Sequence, residues 1–303
     1  MAIAAVGQIR STADVTDNLA QCRKLVRQAA EGGAKVIFLP EAADYIASSP
    51  QESLALAQTQ EDSLFTKGLQ EAAREAQIDV NVGIHVLVKE SAATPDLPGQ
   101  EDAVRTRLFN RSLWIRADGT ISKKATYDKL HLFDYGALKE SAVVRPGQGL
   151  TPPFDTPVGR VGSLVCFDLR FAEPALALAQ PPGTVSGSGG TPAGAEILTY
   201  PSAFTVPTGE AHWEVLLRAR AIETQSWVVA AAQVGWHNEK RVSYGNSMVV
   251  DPWGRVVLRL GGVGDEGSEW AVGFVDIDLG VVERVRREMP LARRTDIYPE
   301  IGA

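Results

Sequence analysis

Short apolar runs alternate with amphipathic helical stretches along the chain, and this alternation limits the folds that are open to it. The run at 2–9, AIAAVGQI, is typical of a buried strand. A helix is predicted at 17–34, where apolar residues recur at helical spacing before a pair of glycines. A second buried strand, KVIFLPE, follows at 35–41. This order predicts an α/β fold in which helices cover the sheets.

Later segments add hairpins to this pattern, which indicates mixed rather than purely parallel sheets. Hairpins are predicted at 107–127, around the turn Ala-Asp-Gly-Thr, and at 246–260, around Asp-Pro-Trp-Gly. The other predicted elements are helices at 61–76, 172–180 and 211–225 and strands at 79–88, 195–204, 226–236 and 270–279. Two stretches, 90–106 and 181–194, have few groups to bury, so we expect mobile surface loops within a single domain of residues 1–303.

The composition argues against several classes of protein. The net charge of −7 is unfavourable for a nucleic-acid partner. No apolar run approaches the ~18 residues that a membrane-spanning helix needs. The two cysteines, Cys22 and Cys166, provide no disulfide framework, so we expect the cytoplasm, with mitochondria as an alternative. Because these cysteines and the four histidines lack metal-ligand spacing, neither a metal nor another cofactor is predicted.

Three reactive side chains lie in or just after apolar segments. The stretch 161–171, VGSLVCFDLRF, puts Cys166 at the end of a predicted buried strand. A lone cysteine is usually a core residue, but a base or a cation can make it a nucleophile. Glu41 ends VIFLPE, and Lys129 lies in TYDKLHLFD. Each has two interpretations: the carboxylate is a solvated rim group or a buried base, and the ammonium belongs to a snorkelling side chain or is a buried cation.

The motifs FLPE, YDKLHLF and CFDLRF occur in this order in the nitrilase superfamily of carbon–nitrogen hydrolases, which the chain resembles from AAVGQIRST to RRTDIYPE. The resemblance implies a four-layer αββα sandwich and a catalytic triad of Glu41, Lys129 and Cys166. In these roles Glu41 is the general base, while Lys129 and the backbone N–H of Phe167 stabilise the oxyanion. The superfamily's fourth acidic residue corresponds to Glu140, which either orients the lysine or the attacking water, or is a simple loop carboxylate.

The stretch GAEILTYPSAFTVPTGEAHWEVLLRARAIETQ and the following NSMVVDPWG closely resemble the Nit branch of the superfamily. Its deaminated glutathione amidases cleave deaminated glutathione, in which a keto group replaces the amino group, to 2-oxoglutarate and Cys-Gly. This is a metabolite repair reaction. The implied substrate is a small anionic keto-acid amide, and its predicted contacts are Arg170, Phe167, Phe204 and Thr208. Arg170 can instead form an ion pair with Asp168.

Two other functions stay open at this point. An ω-amidase of the same branch, acting on 2-oxoglutaramate or 2-oxosuccinamate, releases a smaller amine, and residue spacing does not measure pocket depth. A nitrilase-fold protein that binds metabolites without turnover is the second, although the intact Glu41, Lys129 and Cys166 argue against it.

The branch often has Tyr after the nucleophile, where this chain has Phe167 and keeps only the backbone donor. The resemblance also implies a homodimer or a larger homo-oligomer.

Overall fold

A computed structural model of the chain shows two six-stranded sheets that lie face to face, with helices on both outer sides. The structure describes residues 1–90, 105–136, 138–180, 194–294 and 296–298. From one side to the other, the layers are helices, sheet, sheet and helices. The predicted four-layer αββα sandwich is therefore confirmed.

The sheets combine strands that are far apart in sequence. The strands are β1 Ala2–Ile9, β2 Val36–Phe38, β3 Asp79–Glu90, β4 Arg105–Ile115, β5 Tyr127–Asp128, β6 Asp134–Tyr135, β7 Leu138–Lys139, β8 Phe154–Thr156, β9 Gly159–Ser163, β10 Ile197–Thr199, β11 Trp227–Ala230, β12 Val234–Asn238, β13 Arg241–Tyr244, β14 Met248–Val250, β15 Val256–Arg259 and β16 Trp270–Ile277. The first large sheet has the order β16-β1-β2-β3-β4-β5, and the second has the order β15-β14-β11-β10-β9-β8. In both, the central strands run parallel and the outer strands antiparallel.

Most of the longer helices pack on the outer faces of the two large sheets, whereas Val282 of the last helix belongs to the apolar cluster between the sheets. The helices are α1 Val15–Glu31, α2 Pro50–Leu56, α3 Leu64–Ala76, α4 Ala172–Ala179, α5 Val206–Thr208, α6 Glu214–Thr224 and α7 Leu279–Glu288. Between α5 and α6 the chain continues as one π-helical segment, Gly209–Trp213. The helix predicted at 211–225 is thus part of a longer helical stretch that begins at Val206.

Three apolar clusters explain the order of the layers. Successive side chains of a strand point to opposite faces, so each sheet supplies two clusters. In the first sheet, Ala5 and Ile37 pack beneath α1 and α3, whereas Val6 and Phe38 face the second sheet. The second sheet repeats this pattern, with Leu198 packed beneath α4 and α6. The middle cluster joins the two sheets, and the outer clusters attach the helices to them.

Most predicted elements are confirmed, but several boundaries were wrong. The predicted strand 226–236 is broken, because β12 pairs with β13 in a separate two-stranded sheet. Only the short β10 remains of the strand predicted at 195–204. In the hairpin predicted at 107–127, β4 pairs mainly with β3, and the second arm is a 3-10 turn followed by β5. Sequence patterns did not predict α2 or α7, and α2 has no buried residue to produce an amphipathic signal.

The two predicted loops fall largely outside the described residues. Residues 91–104 and 181–193 are not described, so the loop predictions are not tested there. The first prediction is wrong at its edges. Glu90 pairs with Arg105, and Thr106 pairs with the next residue inward, so all three belong to strands β3 and β4.

Two kinds of feature are absent from the described part of the chain. None of its helices has both the length and the apolar character needed to cross a bilayer. It also has no group of three or more His, Cys, Asp or Glu side chains suited to hold a metal ion.

Candidate active site

Cys166 lies just beyond the end of β9, at the first position of the 3-10 turn Cys166–Arg170. Its φ angle is 46°, in the left-handed region that non-glycine residues rarely adopt. The backbone N–H of Cys166 donates to the carbonyl of Pro201 at 2.9 Å, which helps to hold this conformation. The residue is only 8% exposed. Such locally strained backbone is often found at functional positions.

Glu41 is fixed by a close approach between its loop and strand β3. A Cβ atom at Gly83 would lie 2.6 Å from the Cα of Glu41, so only glycine fits there. The Gly83 N–H donates to the carbonyl of Pro40 at 3.0 Å. Gln233 follows strand β11 of the second large sheet. Its Nε2 donates to the backbone carbonyl of Glu41 at 3.0 Å. The following residue, Ala42, is held at a φ angle of 53°.

Lys129 lies between two carboxylates in the interior. Its Nζ donates to Glu41 Oε1 at 2.9 Å and to Glu140 Oε2 at 2.8 Å. Glu140 Oε2 also accepts the Phe133 N–H at 2.7 Å, which fixes this carboxylate from the loop side. Lys129 is 2% exposed, so its charge depends on these partners. The structure thus places Glu140 beside Lys129; its catalytic role stays a prediction.

No sequence motif indicates Asn110, which contacts both carboxylates. Its Nδ2 donates to Glu41 Oε1 at 2.6 Å and to Glu140 Oε1 at 2.8 Å. The side chain is buried in strand β4. In the sequence, Asn110 is visible only as a polar residue after Leu108 and Phe109 in a predicted strand. A strand pattern does not show which distant residues such a side chain contacts.

The protonation states of the central groups depend on one another. Burial opposes the charged form of Glu41, but the charge of Lys129 and hydrogen bonds from its neighbours outweigh burial and lower its pKa. Burial likewise opposes charge on Lys129, but Glu140 and Glu41 raise its pKa well above the usual range. Burial and, next, the charge of Glu41 raise the pKa of the Cys166 thiol well above its usual value. The site therefore contains a carboxylate, an ammonium and a neutral thiol close to Glu41.

Asp168 connects the turn at Cys166 with the segment that contains Lys129. Its Oδ2 accepts the Tyr127 hydroxyl at 2.7 Å and the Val165 N–H at 3.0 Å. Its Oδ1 accepts the His131 N–H at 3.0 Å and lies 2.7 Å from Nδ1 of the same residue. This fully buried carboxylate is thus occupied on both oxygens. The alternative ion pair between Arg170 and Asp168 is not formed among the described residues.

Arg170 points instead toward the helix that begins at Val206. Its Nη2 lies 2.7 Å from His212 Nδ1, and its buried Nε has no hydrogen-bond partner within the described structure. Phe167, next to the nucleophile, packs edge-on against Phe133 with ring centroids 5.2 Å apart. Its backbone N–H belongs to the first turn of a 3-10 helix, where amides have no partner within the helix.

The other two predicted substrate contacts lie in the loop and helix after β10. Phe204 is 7% exposed and packs against Trp213, with ring centroids 4.8 Å apart. Thr208 has its hydroxyl 2.9 Å from that of Thr205 and is partly exposed. Their roles as pocket residues stay predictions, because these contacts are with the protein's own side chains.

Known proteins resemble this chain along nearly its whole length. The carbon–nitrogen hydrolase family profile matches residues 3–287. The chain is 43% identical to the probable hydrolase nit2 of Schizosaccharomyces pombe, covering 99% of this chain and 100% of that protein. It is 44% identical to the deaminated glutathione amidase of Homo sapiens, covering 99% of this chain and 84% of that protein.

A solved structure agrees with these sequence matches. The C. elegans NitFhit protein superposes with a TM-score of 0.81 at 38% identity, covering 98% of this chain and 66% of that longer one, just under two thirds of it. The chain therefore belongs to the carbon–nitrogen hydrolase family, as its motifs predicted. It is an enzyme of the class that hydrolyses carbon–nitrogen bonds in amides.

Proposed function

We propose that this enzyme hydrolyses deaminated glutathione to 2-oxoglutarate and Cys-Gly through a thioester on Cys166. The observation that carries the proposal is one buried cluster in which the neutral thiol meets the Glu41 carboxylate beside the Lys129 ammonium. The human relative, 44% identical over 99% of this chain, is a deaminated glutathione amidase and supports the choice of substrate.

Formation of the thioester starts from a thiol that needs a base. Glu41 takes the proton of Cys166 as the sulfur attacks the amide carbon, and the carbonyl electrons move to oxygen. Lys129 Nζ and the Phe167 N–H stabilise the resulting oxyanion. Glu41 then returns the proton to the amide nitrogen, the carbon–nitrogen bond breaks, and Cys-Gly leaves as a neutral amine.

Hydrolysis of the thioester repeats this proton transfer with water. Glu41 removes a proton from water as the oxygen attacks the thioester carbon, and the carbon–sulfur bond breaks. The proton then returns to the sulfur, which restores the neutral thiol of Cys166 and releases 2-oxoglutarate. Glu140 contacts Lys129 through both oxygens, which supports its role in orienting the lysine rather than the water.

Several broader features belong to the same proposal. The chain acts as one carbon–nitrogen hydrolase domain that forms a homodimer or a larger homo-oligomer. It carries out metabolite repair in the cytoplasm, and mitochondria are the alternative location. The substrate is an anionic keto-acid amide, and Arg170, Phe167, Phe204 and Thr208 form its contacts.

Substrate size distinguishes this function from that of an ω-amidase. The Cys-Gly part of deaminated glutathione offers binding energy that can position the scissile amide. We expect kcat/KM to fall at least about tenfold with 2-oxoglutaramate, equivalent to about 1.4 kcal/mol of transition-state binding. Steady-state kinetics with both amides measures this ratio. A preference for 2-oxoglutaramate would make the enzyme an ω-amidase instead.

Arg170→Ala should weaken the binding of both substrates, because both carry the keto-acid carboxylate that we expect to pair with this guanidinium. Loss of one charge-assisted contact predicts about a tenfold or larger fall in kcat/KM, mainly through KM. Arg218→Ala is the matched control, since Arg218 is half-exposed on α6 and pairs with Glu214. If kcat/KM for 2-oxoglutaramate were unchanged in this variant, Arg170 would contact the Cys-Gly part of deaminated glutathione or act only structurally.

A further inference from the structure

Asn110 is a neutral donor placed between two buried carboxylates. Its Nδ2 donates to Glu41 Oε1 at 2.6 Å and to Glu140 Oε1 at 2.8 Å, so one amide group joins both acids. Its backbone carbonyl accepts the N–H of Lys129 at 2.9 Å. Asn110 is 3% exposed, so bulk water does not compete for these bonds. The residue therefore contacts both carboxylates of the site and the backbone of the residue that carries the cation.

The chemistry of the neighbours fixes the orientation of this amide. Glu41 and Glu140 present only acceptors when they are ionised, so the nitrogen must face them. The amide oxygen of Asn110 is then left buried and has no hydrogen-bond partner in the described part of the structure. An unpaired buried acceptor destabilises a fold. Stability alone thus does not account for an asparagine at this position.

The charges around Glu41 explain what the amide supplies. Glu41 and Glu140 bring two negative charges to one Lys129, and the thiol of Cys166 also lies beside Glu41. Neighbouring carboxylates tend to bind a proton, because like charges disfavour ionisation. Two N–H donors oppose this tendency without changing the net charge. A second cation would also oppose it, but it would change the net charge of the site.

We propose that Asn110 is a positioning residue that keeps Glu41 ionised and directed at Cys166, so that Glu41 stays available to take the thiol proton. The inference rests on the proposed role of Glu41 as the base. The Asn110 side chain donates to the two carboxylates and not to the reacting sulfur in the described structure. It acts through Glu41 and, by holding Glu140, through Lys129.

The experiment compares two substitutions at Asn110 with a matched one elsewhere. Asn110→Leu removes both donors at similar volume, and Asn110→Ser keeps one hydroxyl that can donate to one carboxylate. Asn81→Ser is the control, because Asn81 is equally buried in β3 and its Nδ2 donates to Ser112 Oγ at 3.0 Å. Thermal midpoints identify the variants that fold. If Asn110→Leu does not fold, Asn110→Ser still tests the inference.

Two rates are measured against pH on each protein. One is kcat/KM for deaminated glutathione. The other is alkylation of Cys166 by iodoacetamide, located by peptide mass spectrometry, which needs no substrate and depends on Glu41 as the base. A hydrogen bond to an ionised group is worth about one to two pH units. We expect the acid limb of both profiles to move up by this amount in Asn110→Leu, by less in Asn110→Ser, and not in Asn81→Ser.

Distinct results would overturn the inference. If the acid limb stayed in place while rates fell equally at all pH values, Asn110 would be only structural. If the acid limb moved equally in Asn81→Ser, the shift would follow from the loss of any buried amide and not from the position of Asn110. If alkylation of the wild-type enzyme had no acid limb, Glu41 would not be the base, and the proposed mechanism would fail together with this inference. If alkylation behaved as expected but deaminated glutathione were not hydrolysed, only the substrate assignment would fail.

Discussion

Replacing Cys166 by alanine should reduce amide hydrolysis to the background rate while the protein stays folded. Without the sulfur no thioester forms, and loss of a catalytic nucleophile typically costs about 10⁴-fold or more in kcat. The fold should persist because alanine removes a single atom and the turn keeps its backbone hydrogen bond from residue 166 to Pro201. Release of Cys-Gly, followed by chromatography, measures the loss.

The second cysteine provides the matched control for this experiment. Cys22 is fully buried among apolar residues of α1, where burial raises the pKa of its thiol and keeps it neutral. Cys22→Ala should lower the thermal midpoint by leaving a small cavity but should retain turnover. Comparable turnover by Cys166→Ala would overturn the assignment of the nucleophile. A wild-type protein that binds the amide without cleaving it would revive the non-catalytic alternative.

Glu41→Gln should preserve the shape of the site and remove its base. Because the thiol has a raised pKa, it stays protonated without Glu41 and attacks slowly. We expect the rate to fall about 10²–10⁴-fold, the usual contribution of a general base. Asp79→Asn is the control, since Asp79 is a buried carboxylate that accepts the Trp114 Nε1–H at 2.7 Å, away from the reacting groups. It should affect stability more than rate.

Single-turnover kinetics then show which step depends on Glu41. Both thioester formation and its hydrolysis use the carboxylate in the proposed mechanism, so the Gln variant should be slow from the first turnover. Rapid quenching and mass spectrometry of the enzyme follow the first step. If the variant acylated at the wild-type rate, Glu41 would not be the group that activates Cys166.

Patterns in the sequence predicted the layers of the fold because the layers follow local periodicity. Each strand of the central sheets alternates between two apolar environments, as Ala5 and Val6 do, and each outer helix has one apolar stripe. Breaks in the strands were not predictable in this way. The run at 226–236 is mostly apolar, but the chain leaves the large sheet after Ala230 to form β12 and β13.

The reacting groups of the candidate site were predictable, and the groups that hold them were not. Glu41, Lys129 and Cys166 stand in recognisable motifs at the ends of apolar segments. Asn110 and Gln233 act through contacts with residues 69 and 192 positions away in the chain, which no local pattern encodes. The Asn110 contact depends on the order of strands within the first sheet, and the Gln233 contact on how the two large sheets pack together. Only the assembled fold shows them.

The central claim is that deaminated glutathione and 2-oxoglutaramate are cleaved through one common acyl-enzyme on Cys166. Its most direct test is acid quenching of the wild-type enzyme during turnover, followed by peptide mass spectrometry, with Cys166→Ala as the blank. Deaminated glutathione and 2-oxoglutaramate should leave the same 2-oxoglutaryl group on the peptide that contains Cys166, because only their leaving amines differ. A group that retained the leaving amine, or one attached to another residue, would contradict the account.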